Sequence, residues 1–216
     1  MLTLHENQPS RQGSKSPYVE LSFGITGESL PADHGYGLLA AISHLVPELH
    51  GIPGLSIETI MGIPDRQGKI TLTERSRLRI RLSTDRVDLA CLLAGKKLTI
   101  GNSDIWLHIP QILLLQPAAR LRSRIVTIKG YQDPEPFLEA AQRQLEQLGI
   151  QGTLAIPLNA EGEPARKAIK IKKYSVVGFG LEIIDLTEEH SLQLQAIGLG
   201  GKRRMGCGIF VPFRRF

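Results

Sequence analysis

Three of the six histidines, His34, His44 and His50, fall within a short stretch of the first half of the chain. An imidazole with an ordinary pKa of about 6.5 can take or give a proton near neutrality. A second reactive feature lies near the C-terminus. In Gly198-Leu-Gly-Gly-Lys-Arg-Arg-Met-Gly-Cys-Gly208, five glycines (Gly198, Gly200, Gly201, Gly206 and Gly208) surround Lys202, Arg203 and Arg204. Glycine lets backbone N–H groups approach an anion, and adjacent cations hold phosphate oxygens. The run is no dinucleotide fingerprint, because position 203 is Arg, and the chain contains no G-x-x-x-x-G-K-[ST]. A third feature is periodic. Arg75, Arg77, Arg79 and Arg81 recur at every second position, as do Arg120, Arg122 and Arg124, and again Lys170 and Lys172. Strand side chains alternate, so each set shares one face, and arginine suits bidentate contacts to phosphate and guanine. A solvated sheet face explains one such stripe; three favour a polyanion.

Together these groups fit chemistry on RNA, which carries its own nucleophile in the 2′-hydroxyl. A protein acting there needs a base for that proton, an acid for the leaving 5′ oxygen, and cations for the transition state. No carboxylate or cysteine cluster suggests a metal, and no cofactor is expected. His5, His108 and His190 read as bland surface residues. His34 and His50 would lie about 24 Å apart on one straight helix, so they need not share a site.

Those residues require elements to hold them. Tyr18–Ile25 alternates as a first strand, and Asp33 is placed to cap a helix carrying Leu38, Leu39, Ile42, Leu45 and Leu49, ended by Gly51 and Pro53. Strands are predicted over Ile57–Ile63 and Arg77–Ser83. A helix capped by Asp85 follows over Arg86–Ala94, then strands over Lys97–Ile100 and Ile105–Ile109. The order is β-α-β-β-α-β. It repeats as a strand over Arg124–Lys129, a helix over Pro134–Leu148, strands over Thr153–Leu158, Arg166–Ile171 and Tyr174–Ile184, a short helix capped by Thr187, and a last strand over Gly208–Phe213. The expected fold is therefore α+β: two tandem ferredoxin-like (RRM-like) units with antiparallel sheets, the glycine-rich loop preceding the last strand. Residues 1–16 read as a disordered tail, 17–118 as the first domain and 119–216 as the second.

Composition agrees. A length of 216 residues accommodates two such domains. The excess of 26 Lys and Arg over 21 Asp and Glu is mild. No apolar run reaches the ~20 residues of a membrane helix, and no secretory h-region is seen, so a cytoplasmic protein is expected. Two cysteines allow no disulfide framework, and Cys91 reads as a buried thiol. Paired H-x-[ST] motifs of a cyclic phosphodiesterase are absent. The aromatic platform of an RNA-recognition motif is missing too, aromatics being 5% of residues.

The glycine-rich run, placed before the last strand, resembles the signature of the RAMP superfamily of CRISPR-associated proteins. Leu30-Pro-Ala-Asp-His-Gly-Tyr36 resembles the L/V-P-x-[DN]-H-x-Y segment that opens the first helix in the repeat-processing endoribonucleases of that superfamily, and Leu49-His50 resembles the Leu-His pair after it. The likeness runs from about Tyr18 to Phe216 and is greatest to the short myxan-type group. It implies a metal-independent endoribonuclease that cleaves CRISPR precursor RNA within repeats, leaving 2′,3′-cyclic phosphate and 5′-hydroxyl ends. It implies His50 first, then His34, as acid or base. Where the family often carries Tyr this chain has Ser43, so Ser43, Tyr36 or Lys202 is left to supply the second group. Product retention in an effector complex with other subunits is also implied. The alternative is a RAMP subunit that binds guide RNA without cutting it.

Overall fold

The computed structural model describes residues 17–213. The expected tail, 1–16, lies outside the described residues. The first unit contains β1 (Tyr18–Thr26), β2 (Ser29–Pro31), α1 (Gly35–Leu45), β3 (Ser56–Ile57), β4 (Ile63–Pro64), β5 (Lys69–Thr71), β6 (Arg77–Ser83), α2 (Val87–Cys91), β7 (Lys97–Ile100) and β8 (Ser103–Leu114). The second contains β9 (Leu121–Val126), α3 (Pro134–Gln147), β10 (Thr153–Ala155), β11 (Arg166–Ile171), β12 (Tyr174–Ile184), α4 (Glu188–Ile197) and β13 (Val211–Pro212).

Both principal sheets are antiparallel. Their orders, β3-β6-β1-β8-β7 and β10-β12-β9-β13 with β11 also pairing β12, place the first strand of each unit in the interior of its sheet, as in two tandem ferredoxin-like domains. Alternation explains the central strands. Leu78, Ile80 and Leu82 of β6 are fully buried against Leu38, Ile42 and Leu49, while Leu121, Leu181 and Ile183 face Phe137, Ala141 and Leu145 of α3. Opposite Gly180, β9 carries an extra residue, a bulge between Ser123 and Val126 that turns both Arg124 and Ile125 away from that core. Among the described residues no helix is long and apolar enough to cross a membrane.

Several local expectations change. Asp33 does not cap α1. His34 is the N-cap residue, and the Asp33 carboxylate accepts the Lys170 N–H from β11 instead. The helix stops at Leu45, since Pro47 starts a 3₁₀ turn, Pro47–Gly51. The strand expected over Ile57–Ile63 is two short strands. The second joins β5 and β2 in a three-stranded side sheet that the polar Lys-Ile-Thr stretch concealed. Asp85 lies within a 3₁₀ turn, Thr84–Arg86, and β8 runs well past Ile109. Cys91 is only partly buried; the enclosed thiol is Cys207, whose pKa burial pushes up to about 11. Thr187 does cap α4, its hydroxyl accepting the His190 N–H.

His34 is 2% exposed. Its Nδ1 donates to the Pro31 carbonyl at 2.8 Å and its Nε2 accepts the Ile60 N–H at 2.9 Å, joining the entry of α1 to the segment after β3. That pattern requires the neutral ring, and burial, only partly opposed by the Pro31 carbonyl, holds its pKa below 6.5. A histidine lowered in the folded state contributes fully above its unfolded pKa of about 6.5 and loses that contribution as pH falls through the folded value, because the unfolded chain takes up the proton first. The melting temperature should therefore fall more steeply between about pH 7.5 and 5.5 for the native protein than for His34→Gln. Parallel slopes would show that His34 does not gain a proton on unfolding.

Candidate nucleic-acid interface and cleavage site

His50 owes its exposure to its neighbour. Leu49, 1% exposed, anchors the 3₁₀ turn in the core, which leaves the next side chain outward. Ser43, on the last turn of α1, places Oγ 3.2 Å from His50 Nδ1. The hydroxyl can donate to that nitrogen or accept from it, so Nε2 can serve as acid or base. His50 and the turn Gly51–Leu55 form one wall of a cleft of about 670 Å³, and the other wall is Gly200–Met205. The tertiary structure thus brings His50 to the glycine-rich loop from the opposite end of the sequence.

His34 is not in this cleft's chemistry. Both its nitrogens are committed and the ring is enclosed, which corrects its expected role as a second catalytic histidine. Tyr36 is half-buried in the first turn of α1, and His44 is exposed on the last. His108 bonds Thr26 Oγ1, and His190 accepts the Gln151 N–H.

The loop glycines also do something other than expected. Their N–H groups point into the protein: Gly198 to the Leu194 carbonyl, Gly200 to Gln144 Oε1, Gly201 to the Thr127 carbonyl, Gly206 to the Arg203 carbonyl and Gly208 to the Ile125 carbonyl. They do not cradle an anion; they let the loop lie against other backbone. A Cβ on Gly200 would strike the Thr127 carbonyl, one on Gly206 would strike Thr59, and one on Gly35 of α1 would strike the Met205 carbonyl. The cations separate accordingly. All three line the cleft, but Arg203 folds back to donate to the Ile197 carbonyl, whereas Lys202, with φ 63°, is exposed.

The arginine stripes are corrected as well. Arg77, Arg79 and Arg81 do share a face, but Glu20 and Glu58 lie among them. Arg79 pairs with both carboxylates, Arg77 donates to the Glu74 and Ser76 carbonyls, and Arg81 is buried. Of the four, only Arg75, ahead of the strand, is exposed. Glu58 is enclosed enough that burial raises its pKa, Arg79 opposing. In the second unit Arg120 pairs with Glu182 and stacks 3.8 Å from the Phe213 ring centre, with Arg122 5.3 Å away. Lys170 lies exposed on β11, but Lys172 sits with φ 54° in the turn to β12, not on the strand. Sequence reasoning missed Lys167, whose pKa is lowered by burial and by nearby Arg124 and Arg122. It pairs with Gly178 across β11 and β12, and only that pairing reveals its neighbours. A second cleft of about 580 Å³, lined by Lys129, Gln144 and Ser175, lies on the far side of Gly200–Lys202.

The family model described as Cas6 Crispr matches residues 19–215. A protein named CRISPR-associated endonuclease Cas6, from Myxococcus xanthus (strain DK1622), is 34% identical over 200 residues, spanning 93% of this chain and 84% of that one. Among solved structures, a CRISPR associated protein Cas6 superposes with a TM-score of 0.63 at 13% identity, covering 92% of this chain and all of its own. A Cas6-related protein from Pyrococcus furiosus gives 0.58 at 14% identity, covering 90% of this chain and 97% of its own. A RAMP protein described as binding different RNA substrates also gives 0.58, at 13% identity, covering 91% and 99%. At those identities the structures speak for the fold, while the matching family model and the Myxococcus relative place the sequence itself: the chain belongs to the Cas6 family of CRISPR-associated proteins.

Proposed function

We propose that the protein is an endoribonuclease that cuts CRISPR precursor RNA within its repeats, acting in the cytoplasm without a metal. The carrying observation is that His50 and the cations Lys202 and Arg204 line one cleft. The endonuclease name of a relative at 34% identity supports the same reading. In the proposed step the 2′-oxygen bonds to the adjacent phosphorus as the bond to the 5′-oxygen breaks. The 2′ proton passes to a base and a proton reaches the leaving oxygen, giving a 2′,3′-cyclic phosphate and a 5′-hydroxyl. His50 Nε2 supplies one transfer, with Ser43 fixing the ring through Nδ1. Lys202 and Arg204 stabilise the charge that builds on the phosphate. The second proton-transfer group is Ser43 or Tyr36, or Lys202 acting as an acid.

The RNA track extends over the exposed cations Arg75, Arg120, Lys170 and Lys172, with Arg122 beside Phe213 as a stacking edge. Gly200 and Gly201 form the cleft wall and leave room for a ribose. The product is retained and delivered to other subunits of a CRISPR effector complex.

Purified protein should cleave its cognate repeat in excess EDTA, and a 2′-deoxy nucleotide at the scissile position should stop cutting while binding persists; cutting of the deoxy substrate would defeat the internal-nucleophile step. His50→Ala should lower the single-turnover rate at least about 100-fold, the usual scale for a lost acid or base, with repeat affinity nearly unchanged. A native rate would remove His50 from the mechanism, and binding without any cleavage by the native protein would identify a guide-RNA-holding subunit. Lys202→Ala with Arg204→Ala should flatten the dependence of log affinity on log salt by about 0.7 for each phosphate no longer neutralised. An unchanged slope would take these cations off the RNA.

A further inference from the structure

Arg81 differs from the other arginines of its stripe because it is 3% exposed and reaches the second domain. Its Nη1 donates to the Gln195 carbonyl at 2.7 Å and to the Phe210 carbonyl at 2.9 Å. Its Nη2 donates to Glu20 Oε2 at 2.9 Å, and Glu20 lies directly across from it on β1. Gln195 belongs to the last turn of α4, just before Gly198, and Phe210 follows Gly208 closely. One guanidinium therefore joins the two stems of the glycine-rich loop.

The acceptors need that donor. The helical partner of the Gln195 carbonyl would be the Leu199 N–H, but Leu199 turns away and donates to the Gly208 carbonyl. Gln195 is left with one of the orphan carbonyls at a helix C-terminus, where a positive charge is favoured. A planar fork can hold two carbonyls and a carboxylate at once; an ammonium, a point charge on a flexible stem, cannot match that geometry.

We propose that Arg81 is a positioning residue for RNA cleavage: it fixes the glycine-rich loop, and with it Lys202 and Arg204, against the wall that carries His50. Arg81 is enclosed and does not touch RNA. This inference rests on the reading of the His50 cleft as the cleavage site. If the loop shifts by about 1 Å, the reacting groups lose alignment while the loop cations still attract the strand, and misplacements of that size cost about 100-fold in rate.

The test compares native protein with Arg81→Lys, Arg81→Gln and Glu20→Gln by single-turnover cleavage at saturating enzyme, equilibrium binding of the same repeat RNA, and amide hydrogen exchange. Exchange across 198–208 should quicken about tenfold or more in the Arg81 variants while β1 and α3 stay protected, the mark of local rather than global opening. The cleavage rate constant should fall about 30- to 100-fold with Kd within about threefold, and Glu20→Gln should fall between these and the native protein. Native loop exchange, a native rate constant, a loss confined to Kd, or loss of protection throughout β1 and α3 in both Arg81 variants would each overturn the proposal. If His50→Ala cleaves normally, the cleft reading fails on its own, and the exchange measurement still decides whether Arg81 holds the loop.

Discussion

At a few points in this protein a glycine lies so close to a neighbouring carbonyl or methyl that one added methyl group would force the segments apart. The Met205 carbonyl lies where a side chain on Gly35 would be, Thr59 crowds Gly206, and the Thr127 carbonyl crowds Gly200. Each approach is coupled to hydrogen bonds that satisfy loop N–H groups internally, at sites where an unsatisfied buried group costs about 1–3 kcal/mol. The loop therefore acts as a joint between the two ferredoxin-like domains. Its fixed position makes a wall of what would otherwise be a mobile hairpin, and a cleft exists because that wall faces the turn carrying His50.

The histidines near the first helix show how packing assigns chemistry. His34 follows a proline carbonyl it can reach and faces an N–H that needs an acceptor, so it is enclosed as a neutral ring and held below its ordinary pKa. His50 follows a leucine that fills the core and is turned outward, with a nearby serine on α1 to hold one nitrogen. The same side chain is a structural staple in one place and a candidate proton carrier in the other.

Charge follows a similar division. Arg79, Arg81 and Arg203 each turn part of the guanidinium onto the protein itself, onto Glu20, Glu58 and backbone carbonyls. Lys202, Arg204, Arg75 and Lys170 remain at the surface or along a cleft. Internal pairing thus removes several arginines of a mildly basic chain from contact with outside anions. It also ties the first domain to the second, through Arg81.

Local pattern alone determined the principal strands and helices, the two-unit architecture and the family likeness, but not the side sheet of β2, β4 and β5. Two-residue alternation in Arg77–Ser83 and the apolar face of Pro134–Gln147 are enforced by neighbours along the chain, so they read directly from it. The glycine-rich run and Leu49-His50 were also visible as candidates. Only the tertiary structure decided what those residues touch. Glu20 lies far from Arg81 in sequence yet opposite it in register, Ile60 claims the ring of His34, and Thr127 and Gln144 claim the loop amides. A strand's alternation says that side chains share a face; it cannot say whether water, a carboxylate or another domain covers that face, because burial is set by contacts between segments distant in the chain.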